Sequence, residues 1–249
     1  MRYILAIFYN LWKLYIGFVF VTTLLFFYPI LLVFLYVERL KPYAFKIHVF
    51  WSRILRIFCF YAIHVEGEDQ RINRKDKEPF IICANHTSYL DIFLMYSLLP
   101  QHRFLFMGKS EILSYPLVKT FFKRLNIPVY RESRLMAAKS FMRAKNEMEK
   151  GWSIVIFPEG KIPAITPGII PFKEGAFKLA QSAKVGILPL TFLNNYRLFS
   201  EPERVLDTAY PGLVKVKIHS FLSADYVSEK PSKELSQEVF ERIKSPFES

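Results

Sequence analysis

In the heptapeptide Asn85-His86-Thr87-Ser88-Tyr89-Leu90-Asp91 a histidine precedes an aspartate by five positions, just beyond the apolar run Pro79–Ala84. An imidazole changes charge near neutrality and accepts a proton from an alcohol as that alcohol attacks. A carboxylate on the other ring nitrogen would fix the tautomer and steady the imidazolium as it forms. A loop histidine satisfied by its neighbours would show the same pair, so the assignment needs further residues. Phe157-Pro158-Glu159-Gly160 follows a second short apolar run and supplies some of them. Other chemistries lack their residues. No serine sits in a G-x-S-x-G elbow, and neither a G-x-x-x-x-G-K-[ST] phosphate loop nor a G-x-G-x-x-G fingerprint occurs. Cys59 and Cys83 both lie in apolar runs without a second cysteine at metal-ligand spacing. They read as buried free thiols in a reducing compartment, and no metal site is implied.

The elements that must position these residues alternate short strand-like runs with helical ones from residue 79 onward, a pattern of the α/β class. Strands are predicted at 80–84, 103–107, 127–130, 153–157, 186–192 and 214–219. The last alternates Val214, Val216 and Ile218 with Lys215 and Lys217, as a half-buried strand near an edge does. Helices are predicted at 90–99, 134–150, 175–184 and 232–244. Ser88 and Asp91 have capping-box spacing at the start of the first, with Asp in place of Glu or Gln. Lys161–Lys173, carrying Pro163, Pro167, Gly168 and Pro171, reads as a stiff loop.

Upstream lies a different kind of sequence. Leu14–Val37 contains no charged residue, and about 20 apolar residues suffice to cross a hydrocarbon core. Pro29 interrupts the stretch, where it would kink or break a helix, so a full span and a hairpin turning at Pro29 both remain open. Residues 45–65 mix Lys46, Arg53 and Arg56 with large apolar side chains, as an amphipathic interfacial helix would. Basic residues are denser after the long segment than before it, which predicts a catalytic domain on the cytoplasmic face of the membrane. The chain therefore divides into membrane-anchoring helices over 1–65 and a catalytic domain over 66–249.

Composition agrees with a membrane setting. The 249 residues are 52% hydrophobic, above the 45–50% of an ordinary soluble domain. A formal net charge of +12 favours anionic partners such as phospholipid headgroups. The basic residues are scattered and no zinc-finger spacing or aromatic RNA-binding motif is present, so nucleic acid is not expected as a partner.

Asn85-His86…Asp91 followed by Phe157-Pro158-Glu159-Gly160 resembles the glycerolipid acyltransferase family, and within it the PlsC-like lysophosphatidic acid acyltransferases. The resemblance covers roughly residues 79–195. It extends to Leu125–Arg131, where Leu125 replaces the family's usual Gly, and to Pro171–Ala176 and Gly186–Leu190. After the FPEG block the family continues Thr-Arg-Ser, whereas this chain has Lys161-Ile162-Pro163.

The resemblance implies a mixed sheet flanked by helices and an O-acyltransferase that makes phosphatidic acid for phospholipid synthesis. His86 and Asp91 would be catalytic, and Asn85 or a neighbouring backbone N–H would steady the oxyanion. Arg131, Glu159, Gly160 and Lys161 would form the acceptor-phosphate site, Lys161 standing in for the missing arginine. The donor would be acyl-CoA or acyl-carrier protein, used as a substrate, with no cofactor. The partners would be the bilayer and a lysophospholipid acceptor. The altered 161–163 stretch keeps open another lysophospholipid or a lyso-ornithine-type lipid as acceptor. A non-catalytic lipid-binding protein is the alternative outside the enzyme class.

Overall fold

The computed structural model describes residues 2–67 and 78–248. The strands are β1 (Tyr61–Glu66), β2 (Ile81–Ala84), β3 (Phe104–Lys109), β4 (Ile127–Val129), β5 (Ser153–Ile156), β6 (Ile187–Phe192) and β7 (Gly212–Ile218). The helices are α1 (Arg2–Tyr36), α2 (Lys41–Phe58), α3 (Leu90–Leu98), α4 (Pro116–Leu125), α5 (Arg134–Glu149), α6 (Gly175–Ala183), α7 (Asn195–Leu198), α8 (Ala224–Glu229) and α9 (Ser232–Lys244).

The strands form one sheet in the order β1-β7-β6-β2-β5-β3-β4. All neighbouring pairs are parallel except β6 with β7, so the predicted mixed sheet is present. All four residues of β2 are buried, as a central strand covered on both faces requires. The helices gather in two groups. α1 packs on α2 and α4 while α2 packs on α3, and α6 packs on α5, α8 and α9.

Two expectations near the N-terminus change. Residues 45–65 are not one amphipathic helix, because α2 ends at Phe58 and the chain turns at Phe60, whose φ is 52°. β1 follows and pairs with β7 from Tyr61↔Gly212 to Glu66↔Lys217. A boundary at 65/66 would cut through this strand. Pro29 does not break α1. Proline removes one helical N–H and disturbs one turn, and here Phe27, Leu31 and Leu35 are buried on either side of it.

α1 is, among the described residues, the one helix long and apolar enough to cross a membrane by length and composition. It is nevertheless docked lengthwise on the rest of the molecule. Ile16, Val19, Leu24, Phe27, Leu31 and Leu35 belong to the same core as the sheet. The opposite side exposes Ile7, Phe8, Leu14, Phe18, Phe26 and Val33. Near its start, Asn10 Nδ2 donates to the Val205 carbonyl at 2.7 Å, and Lys13 Nζ donates to the Arg204 carbonyl at 2.7 Å. Near its end, the Arg124 guanidinium of α4 lies over the Tyr36 ring.

Candidate active site

Because β2, β5, β3 and β4 are adjacent and parallel, their carboxyl ends share one edge of the sheet. Ligands of open α/β sheets bind beyond such ends. The residues that leave this edge are His86 after β2, Glu159–Lys161 after β5, Lys109 at the end of β3 and Arg131 after β4. The topology thus unites groups scattered over seventy-odd positions of chain, from His86 to Lys161.

His86 Nδ1 lies 2.9 Å from Asp91 Oδ2. An ionised carboxylate only accepts, so Nδ1 carries the proton and Nε2 is the basic nitrogen. The same oxygen of Asp91 accepts from Thr87 N at 2.6 Å and Ser88 N at 2.9 Å. Asn195 Nδ2 donates to the other oxygen at 2.7 Å. Asp91 is fully buried, and these four donors satisfy it. The Ser88 contact is half of the predicted capping box. In the other half, Ser88 Oγ accepts from Leu90 N at 3.1 Å, one residue short of the usual partner. The Phe157 ring stacks on His86 with centroids 4.2 Å apart and planes within 16°, which fixes the plane of the imidazole.

Glu159 is a buried strut. Its two oxygens accept from His86 N at 2.8 Å and Ile170 N at 2.9 Å, tying the catalytic loop to the proline-rich one. Burial pushes its carboxyl up to about 7, against the pull of those two N–H donors. Gly160 follows with φ of 76°, and its carbonyl accepts from Arg131 Nη2 at 2.8 Å. A β-carbon there would stand 2.7 Å from the same nitrogen, so glycine serves both the backbone conformation and the seat of Arg131.

Around this seat cations accumulate. Lys109, Arg131 and Lys161 line one cavity with His86. Lys173 lies close enough that Arg131 above all, then burial, Lys109 and Lys161, lower its pKa. Sequence reading reached Arg131 and Lys161 but not Lys109 or Lys173. Lys173 lay within the Pro171–Ala176 element, so a search for basic residues inside matched motifs would have found it. Lys109 gave no such signal, being drawn outside a strand that in fact runs to it.

Asn85 corrects an expectation. Its Nδ2 donates to the Phe192 carbonyl at 3.0 Å and its Oδ1 accepts from Phe192 N at 2.8 Å. The side chain stitches the end of β2 to β6 and is fully buried, so the amide is not directed at a reacting oxyanion. Cys59 and Cys83 are free and buried, as expected. Burial pushes both thiols up, Cys59 to about 11, which leaves neither as a nucleophile.

The cavity that His86 and the cations border has a volume of about 510 Å³. Its interior is aromatic, formed by Phe20 of α1, Trp51 of α2, Phe93 and Tyr96 of α3, and Phe121 and Phe122 of α4. One end is thus charged and carries the base, and the rest suits a hydrocarbon chain.

The site thus joins a carboxylate-held histidine, a cationic seat and an aromatic cavity at one parallel sheet edge. The family model described as Acyltransferase matches residues 62–193, and the chain belongs to that family. It is 28% identical over 189 residues to a chloroplastic 1-acyl-sn-glycerol-3-phosphate acyltransferase of Arabidopsis thaliana, covering 74% of this chain and 51% of that one. To the 1-acyl-sn-glycerol-3-phosphate acyltransferase of Saccharomyces cerevisiae it is 27% identical, covering 74% and 62%. The chain spans about half the length of the first curated relatives it matches. The crystal structure of the 1-acyl-sn-glycerophosphate acyltransferase PlsC from Thermotoga maritima superposes with a TM-score of 0.78 at 25% identity, over 100% of this chain and 97% of that one.

Proposed function

We propose that the protein transfers a fatty acyl group from acyl-CoA or acyl-carrier protein to the free sn-2 hydroxyl of 1-acyl-sn-glycerol-3-phosphate, forming phosphatidic acid. The observation that carries this reading is the Asp91-held His86 at the junction of the cationic seat and the aromatic cavity. The acceptor phosphate rests on Arg131, Lys161, Lys109 and Lys173, and the acyl chain of the donor lies in the cavity. His86 Nε2 takes the hydroxyl proton as that oxygen attacks the thioester carbon. A C–O bond forms, the C–S bond breaks, and the imidazolium returns its proton to the departing thiolate. Asp91 stabilises the charged ring throughout.

The cation count favours a phosphomonoester acceptor. A monoester near neutrality carries about −1.5 to −2 charges, whereas a phosphodiester headgroup presents one negative phosphate. Lys161 acts here as a point charge, and Arg131, oriented by Gly160, supplies the planar fork.

The exposed apolar side of α1 rests in one leaflet of the cytoplasmic membrane, with the catalytic domain on the cytoplasmic face. A helix with one side docked on the protein along its length and the other exposed has no free section to stand across a bilayer. Its seat keeps the cavity near lipid, since drawing a long chain into water costs about 0.8 kcal/mol per methylene.

The test is thiol release from palmitoyl-CoA, and from palmitoyl-carrier protein, by detergent-purified protein. The acceptors are lysophosphatidic acid, lysophosphatidylethanolamine and lysophosphatidylglycerol. Release that needs both lysophosphatidic acid and His86 is expected. Release with a diester acceptor alone would reassign the acceptor, and none with either donor would remove the reading.

A further inference from the structure

The outer face of α5 carries charge that its neighbours do not. The adjoining helices neutralise cations of their own: Lys178 pairs with Glu174 at 2.9 Å at the start of α6, and Arg242 with Glu238 at 2.6 Å on α9. On α5, among the described residues, none of Arg134, Lys139, Arg143 and Lys145 has an ion-pair partner. The carboxylates of this helix stand at its far end, Glu147 buried and paired with Lys150, and Glu149 beyond it. Glu132 precedes the helix.

Between these cations the face is apolar. Leu135 and Met142 are 67% and 56% exposed. With Lys139 they hold the i, i+4 and i+7 positions of one stripe about 10 Å long. A lone exposed leucine is ordinary on any surface. An apolar stripe rimmed by unpaired cations instead suits the surface of an acidic protein. The stripe also begins beside the reaction centre. Arg131, which lines the cavity with His86, stands three residues before α5. Ser140 Oγ donates to the Pro128 carbonyl at 2.7 Å and pins the helix to β4.

A bilayer is the wrong partner for this face. The chain steps outward along the sheet from β3 to β4 and back from β4 to β5, so right-handed crossovers put α4 and α5 on opposite faces. α1 packs on α4, and its apolar side therefore faces away from α5.

We propose that the outer face of α5 docks an acyl-carrier protein, the acidic donor whose thioester arm then reaches His86 from the Arg131 end of the cavity. Acyl-CoA carries the same pantetheine arm without a protein body and makes no use of the stripe. The proposal rests on the acyltransferase reading above and gives one of its two donors a binding surface.

The experiment measures kcat/KM for palmitoyl-CoA and for the palmitoyl thioester of the organism's own acyl-carrier protein, with lysophosphatidic acid as acceptor. The proteins are wild type, Lys139→Glu/Lys145→Glu and Leu135→Ser/Met142→Ser. In both variants the carrier-protein value is expected to fall about ten-fold or more while the CoA value stays within about two-fold. Rising salt lowers the wild-type carrier-protein value and has less effect after charge reversal. Binding to vesicles of phosphatidylglycerol and phosphatidylcholine is unchanged. The two donors are compared as a ratio within one preparation, so a loss of folded enzyme does not imitate the effect.

An equal fall with both donors would overturn the docking face, since a helix needed for folding or chemistry serves either donor. An unchanged ratio in either variant would overturn it too. So would wild-type turnover with palmitoyl-CoA and none with the carrier protein, which leaves the acyltransferase reading intact. Loss of vesicle binding in the variants would give the face to the membrane and overturn the proposal. No turnover with either donor would remove the acyltransferase reading and this proposal with it.

Discussion

The two halves of the site are built differently. On the His86 side the buried side chains that set the geometry are held by several bonds each: Asp91 has four donors, Glu159 bridges two loops, and Asn85 fastens β2 to β6. On the acceptor side the cations have few partners. Arg131 holds one carbonyl, and Lys109 meets Glu111 at 3.5 Å. Under the proposed function, the first half is preorganised for a proton transfer, and the second presents its loosely partnered charges to the acceptor phosphate.

Substitutions should separate the halves, the chemical half failing in rate and the charged half in affinity. His86→Ala should lower kcat by about 10²–10⁴ or more while liposome association persists. Loss of membrane binding in that variant would show that the two halves are not separable. Asp91→Asn comes next, with kcat lowered by a factor of about 10²–10⁴. It should also lower Tm by several degrees, because an amide cannot accept from all the donors that now converge on Oδ2. A rate loss with no fall in Tm would mean that the upstream loop does not depend on this carboxylate.

Arg131→Ala should raise the acceptor KM by about ten-fold with kcat little changed, and Gly160→Ala should do the same by displacing the guanidinium. A collapsed kcat with unaltered KM would move Arg131 into the chemical half.

The last expectation concerns stability rather than turnover, at Glu159. Its folded pKa of about 7 lies above the ordinary 4.5. Between those values the folded state holds the proton more tightly than the unfolded one. Its contribution to stability therefore falls as pH rises through that window and is constant above it. The slope is at most ~1.4 kcal/mol per pH unit. Denaturant melts of wild type minus Glu159→Gln should show this fall, and a difference independent of pH would refute the raised pKa.

How legible each half was in the sequence follows from the same contrast. His86, Asp91 and Glu159 lie in short motifs whose geometry is largely local, and β2 and β5 are apolar runs of strand length. Lys109 joins the site only through strand order, which no local pattern encodes, whereas Lys173 lies inside the matched Pro171–Ala176 element. Asn195 reaches Asp91 because β6 lies beside β2, and a polar residue after a strand gives no sign of that. β1 escaped because its short alternation of Tyr61, Ile63 and Val65 continues the apolar run of α2 with no turn residue between them, and its partner β7 is far along the chain. Asn85 misled because an amide beside a catalytic histidine looks like an oxyanion donor until its Phe192 contacts are seen. Pro29 suggested a break because the sequence does not reveal how firmly packing holds the helix on both sides.

Lengthwise docking of α1 makes a soluble truncation a poor strategy for obtaining the enzyme. Phe20 is a wall of the cavity, and Asn10 and Lys13 hold the 201–205 loop, whose Glu201 borders the same space. A chain cut after α1 would lose part of its substrate chamber and bare an apolar groove to water. Purification and engineering must therefore treat the first helix as part of the catalyst and supply detergent or lipid from the outset.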